Sequence, residues 1–163
     1  MLKSVLLSAG LAIVLGSGLV LAQDPSGSVA ETISARRGLM NQLASLQTLI
    51  DARLGEPDHS AELYDLAQAT AASLDAFALL LPPETNLLGG MRAEEGVATT
   101  AAAAIWDDLP AFRQLLHDSA ADARTASEAA DAATFQASWD KVTASCASCH
   151  QSFVLYDPFA DLN

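Results

Sequence analysis

Proline and glycine residues stand mainly between the helical patterns of this chain and divide it into four segments. Proline removes a backbone hydrogen-bond donor and glycine favours turns, so helices end where these residues cluster. Each segment carries apolar residues at steps of three and four, the spacing of one face of an α-helix. No stretch shows the alternating β-branched residues of a half-buried strand. The pattern predicts an all-α protein, an antiparallel four-helix bundle.

The four segments open with residues that commonly cap helices. Ser28 and Glu31 form a capping-box pair, and Pro110 is acceptable in the first turn of the third segment. The predicted N-caps are Ser28, Asp58 and Asp131, and the third segment is predicted to begin near Asp108. The predicted segments cover about residues 28–54, 58–81, 108–123 and 131–153. Residues 99–105 are predicted as a separate turn or two, and residues 82–98 as a long connection without a helical period.

Near the end of the chain, Cys146-Ala147-Ser148-Cys149-His150 has the spacing of a c-type haem attachment sequence. On the fourth helix, steps of three and four put both cysteines and the histidine on one face. The two thiols can then bond the vinyl groups of a porphyrin while the imidazole reaches the iron. The motif predicts one covalently bound haem c, held by Cys146, Cys149 and His150, with His150 as an iron ligand.

Two other kinds of site use a C-x-x-C-H motif. A thioredoxin-like redox pair belongs at the start of a helix in a strand-rich unit, and this chain has no strand pattern. A structural zinc ion requires four ligands, whereas the chain has only two cysteines, and His59 and His117 lie far from them in sequence. Haem attachment is therefore preferred to both alternatives.

The first 22 residues have the features of a secretory signal peptide. Lys3 precedes an apolar run from Val5 to Ala22, and small residues before Gln23 form a suitable cleavage site. A retained membrane anchor is the alternative, because the run is only just long enough to cross a bilayer. The sequence predicts a signal peptide over 1–22, one helical-bundle domain over 23–163, and a periplasmic location without membrane attachment after cleavage. Export also agrees with the absence of a third cysteine from the sequence.

The chain is strongly acidic, with a formal net charge of −12 at pH 7. Removal of Lys3 with the signal peptide takes away one positive charge, so −12 becomes −13. Such a surface repels nucleic acid and anionic lipid, so neither is expected as a partner. A basic redox partner protein would be attracted to this surface, and the attraction would weaken in salt.

The chain resembles the class II cytochromes c, also called the cytochrome c' family, over essentially all of residues 23–163. The resemblance is carried by the late motif ending at His150 and by Arg36-Arg37-x-x-Met40 in the first segment. Further matching residues are Ile105, Trp106, Asp108, Phe112, Trp139 and Val142. The resemblance implies a four-helix bundle with one covalent haem, frequently paired into homodimers.

In this family, the residue four places after the first-helix arginine faces the iron on the side away from the histidine. Here Arg36 plus four is Met40, and a methionine can close the sixth coordination position. The resemblance thus implies the iron ligands His150 and Met40 and a low-spin haem of the methionine-ligated branch. A thioether favours ferrous iron and raises the reduction potential, which suits electron transfer.

Alternatives to ligation by Met40 stay open. Met40 could be only a flexible core residue, as methionines usually are. Met91 in the glycine-containing loop could approach the iron instead, and His59 and His117 are weaker candidates among polar neighbours. A slip of one residue in the alignment would place Asn41 at the sixth position and leave the haem five-coordinate.

Other residues near the expected haem have simpler interpretations. Arg36 resembles the family arginine that pairs with a haem propionate, since a half-buried carboxylate needs a compensating donor. Arg37 is expected on a solvated face. Trp106 and Trp139 are expected in the core or the haem wall rather than as electron conduits. Phe153 stands where the family commonly has tyrosine, Val154 stands where a basic residue usually follows, and the tail is acidic where relatives are often basic. These departures leave the charge near the haem edge open.

Three functional hypotheses follow. The leading one is a periplasmic one-electron carrier with a low-spin haem ligated by His150 and Met40. The alternative is a five-coordinate haem protein that binds nitric oxide or carbon monoxide, with Met40 only lining the pocket. The third is a helical thiol oxidoreductase that uses Cys146 and Cys149 without haem. No enzyme of the haem peroxidase kind is expected, because that chemistry requires a distal acid–base residue and the neighbours of Met40 offer none.

Overall fold

The computed structural model describes residues 28–55, 60–89 and 99–155. All secondary-structure elements assigned within these ranges are helices. The α-helices are α1 (Val29–Asp51), α2 (Ser60–Ala78), α3 (Ala104–Asp107), α4 (Leu109–Ser127) and α5 (Ala132–Phe153). Two short 3₁₀ turns, Pro83–Thr85 and Leu87–Gly89, follow α2. The four long helices confirm the predicted all-α fold, and the short α3 takes the place of the separate turn predicted for residues 99–105.

Side-chain caps begin three helices where the sequence predicts them. The backbone N–H of Ser28 donates to the Glu31 carboxylate at 2.7 Å, and the N–H of Glu31 donates to Ser28 Oγ at 3.2 Å, which completes the capping box. The carboxylates of Asp108 and Asp131 each accept a hydrogen bond from the backbone N–H three residues later, at 3.1 and 2.8 Å. Another predicted cap, Asp58, lies outside the described residues.

Helix α1 ends earlier than its apolar pattern predicts. It ends at Asp51 rather than near Leu54, because the chain tightens into a turn in which Arg53 N–H donates to the Ile50 carbonyl at 2.9 Å. Gly55 follows with a φ of +86°, a left-handed conformation that glycine adopts readily. Helix α2 likewise stops before its predicted end, in a turn that precedes the proline pair, whereas α4 continues past residue 123.

Contacts near the helix ends show that neighbouring helices run antiparallel. Arg53 forms a salt bridge with Glu62 at 2.9 Å, which joins the end of α1 to the start of α2. Arg113, near the start of α4, donates to the carbonyl of the last residue of α2 at 3.2 Å. The Phe112 ring of α4 packs edge-on against Phe153 at the end of α5, with centroids 4.8 Å apart. Helices α1, α2, α4 and α5 therefore form an up-and-down bundle, as the sequence predicts.

Alanine and aromatic residues share the core of the bundle. The fully buried alanines are Ala67, Ala71, Ala120, Ala123 and Ala126. Because alanine has a short side chain, α2 and α4 can approach closely and pack without voids. Trp139 of α5 is 2% exposed and stacks near Phe135, with centroids 6.3 Å apart. Its Nε1 donates to Asp51 Oδ1 at 3.1 Å, which links α5 to the end of α1.

The inward face of α1 differs from its predicted apolar stripe. The buried residues of α1 are Ile33, Arg36, Leu46 and Ile50. The apolar stripe predicted for this segment consists of Val29, Ile33, Met40, Leu43, Ile50 and Leu54. Of these, Met40 and Leu43 are only half-buried and pack against the edge of the core. A charged residue thus shares the most buried face of α1, and two apolar residues lie at the margin of that face.

None of the described helices is both long enough and apolar enough to cross a bilayer. The signal peptide predicted over residues 1–22 lies outside the described residues. That segment, and the single domain over 23–163 that its removal would leave, stay predictions.

Replacing Asp131 by alanine should lower the free energy of unfolding at pH 7, because α5 loses its N-terminal cap. The backbone hydrogen bond from Thr134 is the main cause that holds the pKa of Asp131 below its usual value. A folded-state pKa below the unfolded value means that the stabilisation is present above the unfolded pKa. It is then lost as the pH falls through the folded pKa. Urea unfolding of both proteins from neutral to strongly acid pH should show a difference that disappears in acid.

The matched control is Asp131→Asn, which keeps a capping side chain but cannot ionise. This variant should retain most of the stability at pH 7 and lack the acid-dependent component at residue 131. Equal stability of Asp131→Ala and the native chain at pH 7 would show that the cap contributes nothing.

Candidate functional site

The attachment motif lies in the last turns of α5. Cys146, Cys149 and His150 are all helical and half-buried, and helical geometry puts their side chains on one face. Both cysteines are unpaired and pack against the core. The structure therefore places the three residues of the motif together, on a helix that the core holds in position.

Burial raises the pKa of both thiols. Desolvation is the larger cause at Cys149, and the nearby Cys146 adds to it, which raises the pKa of Cys149 to about 11. Desolvation also raises the pKa of Cys146. A redox-active cysteine pair reacts through a thiolate, and a thiol with a raised pKa stays protonated at neutral pH. These surroundings therefore disfavour the thiol oxidoreductase hypothesis.

A short antiparallel pairing ties the end of α5 to the segment before α3. Ala101 and Val154 form an isolated β-bridge. On either side of this bridge, the N–H groups of Ala102 and Leu155 donate to carbonyl groups across the pairing, both at 2.9 Å. The pairing therefore fixes α3, and Trp106 within it, alongside the end of the attachment helix.

The hydrogen bond between Trp139 and Asp51 sets the register of α5 against α1. The two helices run antiparallel, so steps backward from Asp51 and forward from Trp139 lead toward the same end of the bundle. Eleven residues before Asp51, about 16 Å at the helical rise, lies Met40 of α1. Eleven residues after Trp139 lies His150 of α5. The register thus puts Met40 level with His150. Among the described residues, α1 and α5 share little close backbone contact.

Arg36 is buried one helical turn before Met40. It is 4% exposed, and its Nη1 donates to Thr85 Oγ1 at 3.0 Å and to the Leu80 carbonyl at 3.5 Å. Its guanidinium carbon lies 5.4 Å from the centroid of the Trp106 ring, within the range of a cation–π contact. Desolvation lowers the pKa of Arg36, but a guanidinium stays protonated at neutral pH. Arg36 is therefore a buried positive charge held by neutral groups.

Three buried polar atoms in the described part of the chain have no hydrogen-bond partner, and all three lie on or beside the Arg36 contacts. They are Arg36 Nη2, Trp106 Nε1 and Asn86 Oδ1. The Arg36 guanidinium lies over the Trp106 ring. Asn86 is next in sequence to Thr85, whose hydroxyl oxygen accepts a hydrogen bond from Arg36. Buried polar groups without partners cost free energy, so such a cluster marks the place of a missing polar group. A carboxylate such as a haem propionate would fit the two donors and the positive charge.

The remaining candidate ligands lie elsewhere or outside the described residues. His117 is exposed on α4, where its Nδ1 lies 3.2 Å from Asp75 Oδ1, and Asp75 also pairs with Arg124. His59 and Met91 lie outside the described residues. Within residues 28–55, 60–89 and 99–155, no group of three or more His, Cys, Asp or Glu side chains could hold a metal ion. The described part of the chain therefore gives no support to a zinc site.

Sequence reasoning missed two parts of this site. Thr85 lies in a 3₁₀ turn after the proline pair, where the sequence predicts only a connection, yet it is fully buried and hydrogen-bonded to Arg36. The pairing of Ala101 with Val154 joins segments far apart in sequence and has no local signal. Trp106 is half-buried, in agreement with a residue of the haem wall, and Arg37 is exposed as expected.

The comparisons with known proteins point to one family. A family model described as Cytochrome C' matches residues 31–154. The cytochrome c' of Rhodospirillum rubrum is 26% identical over 156 residues, which cover 93% of this chain and 98% of the relative. A solved cytochrome c' with ligand-controlled dimer dissociation has a TM-score of 0.70 at 20% identity, over 80% of this chain and 99% of that one.

A further similar protein is the cytochrome c' of Alcaligenes xylosoxidans. A ferrous variant with bound nitric oxide has a TM-score of 0.55 at 19% identity, over 77% of this chain and 93% of that one. Another variant, solved with bound carbon monoxide, has a TM-score of 0.56 at 18% identity, over 78% and 94% of the two chains. At such identities these likenesses show the fold. Because the family model covers most of the chain and includes the attachment motif, this chain belongs to the cytochrome c' family, whose members carry a covalently bound c-type haem.

Proposed function

We propose that this protein is a haem protein whose sixth coordination position is open to nitric oxide or carbon monoxide. The observation that carries the proposal is the apolar composition of α1 at the level of His150. Leu39, Met40 and Leu43 lie there, half-buried and packed against the core. Two variants of the similar Alcaligenes xylosoxidans protein were solved, one with nitric oxide bound and the other with carbon monoxide bound. This supports gas binding over the methionine-ligated carrier predicted from the sequence.

Each residue of the site has a distinct part in this proposal. When bound, the haem supplies the iron at which a small diatomic gas is held. Cys146 and Cys149 would anchor the group through thioether bonds, and the His150 imidazole would be the protein ligand to the iron. Arg36 would neutralise a propionate. Met40 would line the gas-binding side of the site with an apolar side chain that excludes water.

The surroundings of Met40 do not supply acid–base catalysis. Its neighbours Leu39, Asn41 and Leu43 include no histidine or carboxylate. Peroxidase-type chemistry requires such a group close to the distal face. We therefore propose binding or electron exchange rather than turnover of a substrate.

A second candidate function is electron transfer with Met40 as the sixth ligand. The observation in its favour is the register that puts Met40 level with His150 across the bundle. A thioether is a soft, neutral ligand that stabilises ferrous iron. The acidic surface, with −12 over the whole chain, would then attract a basic redox partner.

Location and assembly complete the proposal. Residues 1–22 direct the chain to the periplasm, where c-type haem attachment and an acidic carrier or gas-binding protein belong together. A homodimer is proposed as well, because one similar structure is a cytochrome c' whose dimer dissociates under ligand control.

The native protein, produced with the c-type maturation machinery, should keep its haem through a denaturing gel and an acid–solvent extraction. Removal of both thioether anchors in Cys146→Ala/Cys149→Ala should make all of the haem extractable, since no covalent bond remains. The pyridine haemochrome spectrum and haem staining of the gel measure this. His117→Ala, on the exposed face of α4, is the control and should retain the haem. Colourless native protein from a host that matures other c-type cytochromes would contradict the haem assignment.

Replacing Met40 by leucine should leave a high-spin ferric spectrum unchanged if Met40 only lines the pocket. Leucine keeps nearly the same volume, so the cost in stability should stay below about 1.5 kcal/mol. Met40→Ala should enlarge the pocket and speed the binding of carbon monoxide to the ferrous protein. Optical and magnetic-resonance spectra at neutral pH, with stopped-flow carbon monoxide binding, give these readouts.

The same measurements distinguish the two candidate functions. A low-spin ferric spectrum with a sulfur-to-iron charge-transfer band in the native protein, lost in both Met40→Leu and Met40→Ala, would overturn gas binding and establish the electron carrier. A low-spin spectrum that persists in Met40→Leu would show that another group binds the iron. It would exclude both proposed roles of Met40, as the sixth ligand and as the lining of an open pocket.

A further inference from the structure

The two tryptophans of this chain differ in how their indole N–H groups are satisfied. Trp139 donates to Asp51 Oδ1 at 3.1 Å. Trp106 has a buried Nε1 that finds no partner in the described part of the chain. An indole N–H is a donor only, so it cannot be satisfied by another donor such as Arg36. The Trp106 N–H therefore requires an acceptor that the described side chains and backbone do not supply.

Arg36, which lies over the Trp106 ring, also has a nitrogen without a hydrogen-bond acceptor. The guanidinium stacks on the Trp106 ring at 5.4 Å, and its hydrogen bonds to Thr85 and Leu80 use Nη1 alone. Nη2 is buried and without a partner. Two unsatisfied donors, one of them charged, thus belong to a pair of stacked side chains. A carboxylate has two acceptor oxygens and a negative charge, which matches this pair.

Trp106 is held firmly for such a role. The pairing of Ala101 with Val154 ties the chain to the end of the attachment helix just before α3. Just after α3, Asp108 begins α4 as its N-cap. Only a few residues separate these two anchors, so the indole has little freedom to turn toward solvent.

We propose that Trp106 Nε1 donates a hydrogen bond to the same haem carboxylate that Arg36 pairs with, so that Trp106 positions this propionate. The indole supplies a neutral donor at a fixed angle, and Arg36 supplies the charge. The proposal concerns the propionate edge of the haem and is independent of what occupies the sixth position of the iron.

The role has an electrostatic consequence. An unpaired propionate charge near the haem favours ferric over ferrous iron, and each donor to that carboxylate reduces this effect. Loss of the Trp106 N–H should therefore lower the reduction potential. A residue that only fills space would affect the potential little when replaced by another aromatic ring.

The test compares Trp106→Phe with Tyr64→Phe in the haem-loaded full chain. Both substitutions remove one polar side-chain group and keep an aromatic ring. Trp106→Phe should shift the reduction potential downward and shift the propionate bending band in the resonance Raman spectrum. Tyr64→Phe, whose ring packs against Phe135 near the start of α2, should leave both close to native values. An unchanged potential and propionate band in Trp106→Phe, or equal shifts in the two variants, would overturn the proposal.

A second measurement keeps the proposal testable if Trp106→Phe does not fold. The chain has two tryptophans, so Trp139→Phe leaves Trp106 as the sole indole. Its ultraviolet resonance Raman spectrum should show the hydrogen-bonded form of the indole N–H in haem-loaded protein. A spectrum of a free N–H would overturn the proposal. Either negative result would leave gas binding untouched, because that function is tested by the spin state and carbon monoxide binding.

Discussion

The burial of the Arg36 guanidinium is the constraint on which the rest of this structure depends. Moving an ionised group out of water costs several kcal/mol unless hydrogen bonds and an opposite charge compensate it. Thr85 and Leu80 satisfy one nitrogen, and the Trp106 ring covers the guanidinium, but the described residues bring no carboxylate to the other nitrogen. In the proposed haem-bound protein, a propionate would supply that charge. Because the propionate would meet Arg36 only in the folded chain, this contact would add to the stability of the bundle.

Two contacts anchor α1 at separate points along the bundle. At one end, Asp51 is tied to Trp139, and toward the other end Arg36 is tied to the turn that follows α2. Between these anchors, Met40 and Leu43 are half-buried and extensive backbone contact with α5 is absent from the described part. The tight alanine packing of α2 against α4 carries the core on the other side. The bundle thus has more close backbone contact between α2 and α4 than between α1 and α5.

What the sequence predicted correctly rests on local physics. The caps at Ser28 and Asp131 depend on side chains that reach backbone groups three residues away, so they can be identified without knowing the fold. The attachment motif is equally local. The partner of Arg36 could not be predicted in this way, because Thr85 lies 49 residues along the chain and reaches the guanidinium only through the packing of α1 against α2. The stacking of Arg36 on Trp106 depends in turn on the pairing of distant segments.

The sixth coordination position depends on side-chain packing as well as on the register of the helices. The bond between Trp139 and Asp51 sets the register of α1 relative to α5, and this register puts Met40 level with His150. Neither anchor of α1 fixes its sideways distance from α5 at the level of the haem. A thioether that binds iron and one that packs beside it occupy the same helical position and differ in that distance and in the side-chain rotamer. Methionine is flexible and unbranched, so its packing does not select one rotamer strongly. The spin state of the iron would therefore depend on the lateral placement of α1 and on the rotamer of Met40, neither of which the two anchors fix.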